Sequence, residues 1–141
     1  MKRSMLVMFV FGLALLSGYA QASDAKEINT TISGFAKAGD MNDAEKLAGY
    51  LDSNYRVVMN RLFGSSEVSI MSREVYLEKI RTKEFGGDTR KVKVENLVIN
   101  GTTASAKVTM MGKKATFISL ITLLKNAKGQ WKLVSDVPIV K

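Results

Sequence analysis

Ala115-Thr116-Phe117-Ile118-Ser119-Leu120-Ile121-Thr122-Leu123-Leu124-Lys125 reads as a long strand. Asn126-Ala127-Lys128-Gly129 follows as a turn, and Trp131 to Val140 returns as a second strand. Within the first of these, Phe117, Ile121 and Leu123 alternate with Ile118, Leu120 and Leu124, so both faces of the strand are apolar. A central strand of an antiparallel sheet with two apolar faces needs helices over one side and a second cover over the other. The economical second cover is another copy of the chain.

Working outward, Thr103 to Met111 places Ala104, Ala106, Val108 and Met110 on one face and Thr103, Ser105, Lys107 and Thr109 on the other, as a strand buried on one side does. Asn100-Gly101 predicts a type I′ turn joining it to a strand from Lys91 to Ile99, and Gly112-Lys113 turns it into the strand quoted above. Upstream, Ser72 suits the N-cap of a helix with Glu74 in its first turn and Val75, Tyr76, Leu77 and Ile80 as its buried stripe; Phe85-Gly86-Gly87-Asp88 stops it. A brief strand, Val68 to Met71, precedes that helix, and a β-rich run, Tyr55 to Phe63, is closed by Gly64-Ser65-Ser66.

Farther toward the amino terminus, Ile28, Ile32, Phe35 and Ala36 fall at helical spacing between Asp24 and Lys37. After the break at Gly39-Asp40, a short second helix capped by Asn42 or Asp40 would bury Ala44, Leu47, Ala48 and Leu51. The predicted order is α-α-β-β-α-β-β-β-β. The fold class is α+β, a curved antiparallel or mixed sheet packed on three helices from the amino-terminal half.

Lys2 and Arg3, the apolar run from Met5 to Leu16, and Ala20-Gln21-Ala22 form the charged, apolar and A-x-A order of a secretory signal peptide. The expected organisation is therefore a signal peptide over residues 1–22, cleaved near Ala22, and one domain over residues 23–141. The apolar run is shorter than the roughly 20 residues of a spanning helix, and with no Cys in the chain a lipid anchor through a cysteine is excluded. A periplasmic or secreted location follows as an expectation, with no stable membrane anchor after cleavage and a domain held by packing rather than disulfides.

The chain carries 21 basic and 13 acidic side chains. The basic residues are scattered; Arg90-Lys91-Val92-Lys93 and Lys113-Lys114 have no aromatics interleaved and read as solvated strand edges, so no nucleic-acid partner is expected. With no His and no Cys, histidine bases, Ser-His triads, thiolate nucleophiles and soft metal sites are excluded. No dinucleotide or P-loop glycine pattern appears, so neither a cofactor nor a metal is expected.

What remains is chemistry in which a carboxylate moves a proton and a phenol holds developing charge. The hydroxyls available are those of Tyr50, Tyr55 and Tyr76, and the acid of interest is Asp136 on the last strand, with a surface position as its plain alternative. Asp136 and Tyr76 are the catalytic candidates. Phe35, Tyr55, Arg61, Tyr76, Ser119 and Trp131 are the candidates for lining a pocket.

Ser69-Ile70-Met71-Ser72-Arg73-Glu74-Val75-Tyr76-Leu77, together with Phe117 to Lys125 and Gly129-Gln130-Trp131-Lys132-Leu133-Val134, resembles the nuclear transport factor 2-like superfamily. Specifically, these stretches are similar to its bacterial group described as "putative lumazine-binding". The resemblance spans nearly all of the chain after the signal peptide. It implies a cone of bent sheet and helices around an apolar pocket, and a homodimer through the sheet's outer face. It also implies an acid where Ser119 stands and a cation near Asp136, and the chain departs from both. Three functions are carried forward: binding of a small, partly apolar molecule; an isomerase, dehydratase or cyclase using a carboxylate and a tyrosine; and an interaction module of the cell envelope.

Overall fold

The structure, a computed structural model, describes the backbone of residues 2–141 and the side chains of residues 17–141. The apolar run of the expected signal peptide, Met5 to Leu16, lies outside the residues whose side chains are described. Nine elements follow in order: α1 (Lys2–Asp40), α2 (Ala44–Ala48), β1 (Leu51–Asn60), β2 (Val68–Ser72), α3 (Arg73–Arg81), β3 (Lys91–Asn100), β4 (Thr103–Met111), β5 (Thr116–Lys125) and β6 (Trp131–Val140). The order matches the sequence reading. The first helix, however, begins well before Asp24, because Ala20-Gln21-Ala22-Ser23 contains nothing that breaks a helix.

The six strands form one mixed sheet in the order β2-β1-β6-β5-β4-β3. β1 and β6 run parallel and every other neighbouring pair is antiparallel. The three helices pack against the sheet's inner face, the α+β arrangement that the sequence predicts. Ile28, Ile32, Phe35 and Ala36 of α1 are buried there, as are Ala104, Ala106, Val108 and Met110 of β4. Among the described residues no helix is long and apolar enough to cross a membrane.

Two β-bulges shape the sheet. On β6, Thr122 pairs with Ser135 while Leu123 pairs with Leu133, which leaves Val134 as an extra residue. On β3, Glu95 pairs with Lys107 and Val98 with Ser105, so Asn96 and Leu97 together face one residue of β4; Asn96 takes φ 51°, a left-handed value, to do so. Each bulge reverses the in-out alternation of its strand. Val92 and Val94 pack on the core before the β3 bulge, and Leu97 and Ile99 after it.

Several local expectations are corrected. The hairpin between β3 and β4 turns on Gly101 and Thr102, because Asn100 pairs with Thr103; Gly101 alone takes positive φ, as a type II′ turn requires, in place of the type I′ turn at Asn100-Gly101. Asp43, not Asn42 or Asp40, caps α2, accepting a bond from the Lys46 amide. Gly49 closes that helix early, so Leu51 opens β1. Ser72 caps α3 as expected, through Val75 N at 3.3 Å, but Val75 itself is exposed while Leu77 and Ile80 are buried.

The residues released from capping hold the corner of the fold. Asn42 donates from Nδ2 to the carbonyls of Ile80 (3.0 Å) and Phe85 (2.6 Å), tying the end of α1 to the end of α3. Asp40 pairs with Arg90, Nε to Oδ1 at 2.5 Å, and accepts the Arg90 amide at 3.0 Å; Arg90 Nη2 also donates to Ala36 O at 2.8 Å. Arg90 therefore belongs to the interior, not to a solvated strand edge. Gly86 allows this corner to close: it adopts φ +79°, and a Cβ there would stand 2.2 Å from the Gly39 carbonyl oxygen.

The side chains of the Arg90–Asp40 pair are only 11% and 13% exposed, so each needs the other. Asp40→Asn should cost about 3 kcal/mol in urea unfolding, because it leaves a buried guanidinium without its counter-charge. Glu95→Gln, which breaks the exposed pair with Lys93, should cost under about 0.5 kcal/mol. Equal losses in the two variants would contradict the structural role given to Arg90.

Candidate functional site

A cavity of about 310 Å³ opens between the inner face of the sheet and α1, α3 and the segment joining α3 to β3. Its walls are aromatic because four elements each contribute a ring: Phe35 from α1, Tyr76 from α3, Phe85 after α3 and Phe117 from β5. Phe35 and Tyr76 stack with centroids 6.3 Å apart, and Tyr76 lies tilted to Phe85 at 6.3 Å. Leu62 and Phe63, from the loop between β1 and β2, stand at the same cavity, and Phe63 is 71% exposed.

The buried polar side chains of the wall come from two adjacent strands, and Glu84, Asp88, Arg90 and Lys114 add charged groups from the segments after α3 and after β4. Ser119 on β5 and Asp136 on β6 both line the cavity, and both are buried. Asp136 faces inward because of the bulge at Val134. Trp131 and Leu133 are buried before it and Asp136 and Pro138 after it, so unbroken alternation from Trp131 would have turned Asp136 to the outside.

Neither polar group is satisfied by the protein. Asp136 Oδ1 and Ser119 Oγ are shielded from solvent and have no hydrogen-bond partner, and the same is true of Tyr55 Oη. The Ser119 hydroxyl lies close enough to the carboxylate to favour its charged form. Each such orphan costs roughly 1–3 kcal/mol in the empty protein.

Burial pushes the Asp136 carboxyl up to about 6, with the Ser119 hydroxyl and the positive charge of Arg90 acting in the opposite direction. The Tyr76 phenol is raised by burial and then by the charge of Asp136; Tyr55 is raised by the same two causes in the same order. Near neutral pH the interior thus holds neutral phenols and one carboxylate close to its titration range.

The sequence candidates divide into two groups. Phe35, Tyr76, Ser119 and Asp136 line the cavity. Tyr55 stands behind the wall, its ring 5.5 Å from Tyr76 and 6.4 Å from Phe35. Arg61 and Trp131 do not line it. Arg61 is exposed at φ 54° where β1 ends. Trp131 is buried at the far end of β6, where its Nε1 donates to Asp24 Oδ1 at 3.0 Å beside Lys125 Nζ at 2.7 Å, latching α1 to the sheet.

Sequence reasoning missed Phe85, Phe117, Met110 and Arg90 as cavity residues. Phe85, next to a glycine pair, was visible only as a helix stop. Arg90 brings a positive charge that acts on Asp136 although it is itself paired with Asp40, and it comes from a segment distant in the chain, so adjacency along β6 could not reveal it. Among the described residues no three metal-ligating side chains converge.

Comparison with solved structures places the chain among nuclear transport factor 2-like folds. It is similar to such a protein of unknown function from Silicibacter pomeroyi (16% identity, TM-score 0.74, covering 86% of this chain and 98% of that one). It is similar also to one of unknown function from Shewanella baltica (18% identity, TM-score 0.73, covering 85% and 95%). A third, from Novosphingobium aromaticivorans, bears the name "Putative Scytalone Dehydratase" (17% identity, TM-score 0.67, covering 86% of each chain). At these identities the likeness shows the fold alone. Comparison with curated proteins gives no match. The model of one family, described as "Putative lumazine-binding", matches residues 23–137, and the chain belongs to that family.

Proposed function

We propose that this protein binds a small, partly apolar organic molecule in the cavity between helices and sheet. The observation that carries the reading is the pair of buried atoms without a hydrogen-bond partner, Asp136 Oδ1 and Ser119 Oγ, on the wall of a largely aromatic cavity of about 310 Å³ whose other charged groups are paired or lie at its exposed side. That volume is at the lower end of the roughly 300–1,000 Å³ of ligand pockets and fits a body of roughly one or two rings. The family description supports the same reading at the level of small-molecule binding.

A second reading, proton transfer of the isomerase or dehydratase kind, is favoured by one observation: Asp136, poised at about 6, shares the cavity with the Tyr76 phenol. The two readings part on whether the bound molecule is changed. A thermal-shift screen against a metabolite library should find a compound that raises the melting temperature by on the order of 10 °C when present at a hundredfold excess over its Kd. Under proton transfer, that compound is converted by the wild type and left intact by Asp136→Asn. If no compound shifts the melting temperature, the cavity reading fails.

We also propose that the protein is exported and dimeric. The charged, apolar and A-x-A pattern before Ser23 supports export, and the family match begins at residue 23. Dimerisation is supported by the outer face of the sheet, where Leu120 (63% exposed) pairs across strands with Val137, and Ile118 with the half-exposed Ile139. Protein recovered from the periplasm should have the intact mass of residues 23–141 and scatter light as a dimer, with Leu120→Lys shifting it to monomer. A retained leader would contradict export, and a wild-type monomer at micromolar concentration would contradict the dimer.

A further inference from the structure

We infer that the cavity selects an organic monocation, a molecule with an apolar body against the Phe35, Tyr76 and Phe85 rings and one protonated amine against the Asp136 carboxylate. This rests on the reading of the cavity as a ligand site and names the chemical class that site takes.

The argument is one of charge balance. Arg90 lines the cavity but is paired with Asp40 at 2.5 Å, and Glu84 is paired with Lys79 at 2.5 Å. Asp88 accepts the backbone amides of Thr89 (2.7 Å), Lys113 (3.0 Å) and Lys114 (3.0 Å). The Lys114 side chain is exposed and acts on Asp88. Asp136 differs from all of these. Among the described residues it has no ion-pair partner, and its Oδ1 has no hydrogen bond. The deep part of the cavity therefore carries one uncompensated negative charge.

The groups facing that carboxylate do not neutralise it. Ser119 on β5 is uncharged, Tyr55 on β1 and Tyr76 on α3 keep their protons, and Arg90 is shared with Asp40 of α1. Aromatic faces carry negative electrostatic potential and favour a cation at short range, more so where water is excluded. A carboxylate enclosed by such rings stabilises an ammonium group twice over, by ion pairing and by the ring faces. An anion meets repulsion, and a neutral alcohol leaves the charge uncompensated.

The test is calorimetric titration of the purified protein with three probes of one size: 2-phenylethylamine, 2-phenylethanol and 3-phenylpropanoate. At about pH 7.5 the amine should bind at least about tenfold more tightly than the alcohol, and the propanoate more weakly than either. Because the carboxyl titrates at about 6, lowering the pH to about 5 should weaken the amine roughly tenfold and leave the alcohol unchanged. Asp136→Asn should remove the preference for the amine, bringing the amine and the alcohol to within about threefold of each other. The wild-type pH series tests the claim even if that variant folds poorly. Equal or tighter binding of the alcohol or the propanoate at pH 7.5 overturns the cation inference while leaving the ligand site intact, as does a preference that survives in Asp136→Asn. If none of the three binds, the cation inference is overturned, while the ligand-site reading falls only if the metabolite screen also finds no binder.

Discussion

Between Leu133 and Ser135 the last strand carries one residue more than the strand beside it, and the in-out order of every side chain beyond that point is reversed. Without Val134 as the extra residue, Asp136 and Pro138 would face the outer surface, and Val137 and Ile139 would fill the cavity. The same step therefore does two things. It places a carboxylate among aromatic rings, and it leaves an apolar strip of β6 beside Leu120 and Ile118 on the outside of the sheet.

The inward carboxylate has an energetic consequence. In the folded protein Asp136 keeps its proton up to about 6, against an ordinary value of 3.8. Between those two values the folded chain holds more protons than the unfolded one, so stability falls as the pH rises from about 4 through about 6. Above that range the ionised group costs the empty protein on the order of 3 kcal/mol. Asp40 and Arg90 show the opposite arrangement a short distance away, with charge inside but fully partnered. Beside so completely satisfied an ion pair, two of the four buried side-chain atoms that lack a hydrogen-bond partner among the described residues, Asp136 Oδ1 and Ser119 Oγ, lie on the cavity wall; the other two are Tyr55 Oη behind it and Arg73 Nε on α3.

Much of the architecture was legible because it depends on local chemistry. The period-two pattern of Thr103 to Met111, the Ser72 cap and the glycines at positions 101 and 129 specify elements that need only near neighbours. The errors fall where one residue changes the outcome. Asn100-Gly101 predicts a hairpin but not whether Asn100 pairs or turns. A bulge is invisible to an alternation argument, so the burial of Asp136 could not be read from β6 alone. Of the cavity residues, Tyr76 and Asp136 are expected from residue type, Phe35 from the buried stripe of its helix and Ser119 from the family resemblance, whereas Arg90 and Phe85 reach the cavity through the segment after α3, whose path is set by Asn42, Asp40 and Gly86. Arg61 and Trp131 were chosen for residue type, and their positions along the strands carry them elsewhere.

The claim on which all of this turns is that Asp136 is an inward, unpaired carboxyl. Its side-chain carboxyl carbon, followed by NMR across a pH titration of the ligand-free protein, measures that directly. A midpoint near 6 is the result expected of a group buried in the cavity. A midpoint at or below about 4 would place the group in water or beside a cation, and would contradict both the bulge-directed geometry and the ligand site built upon it.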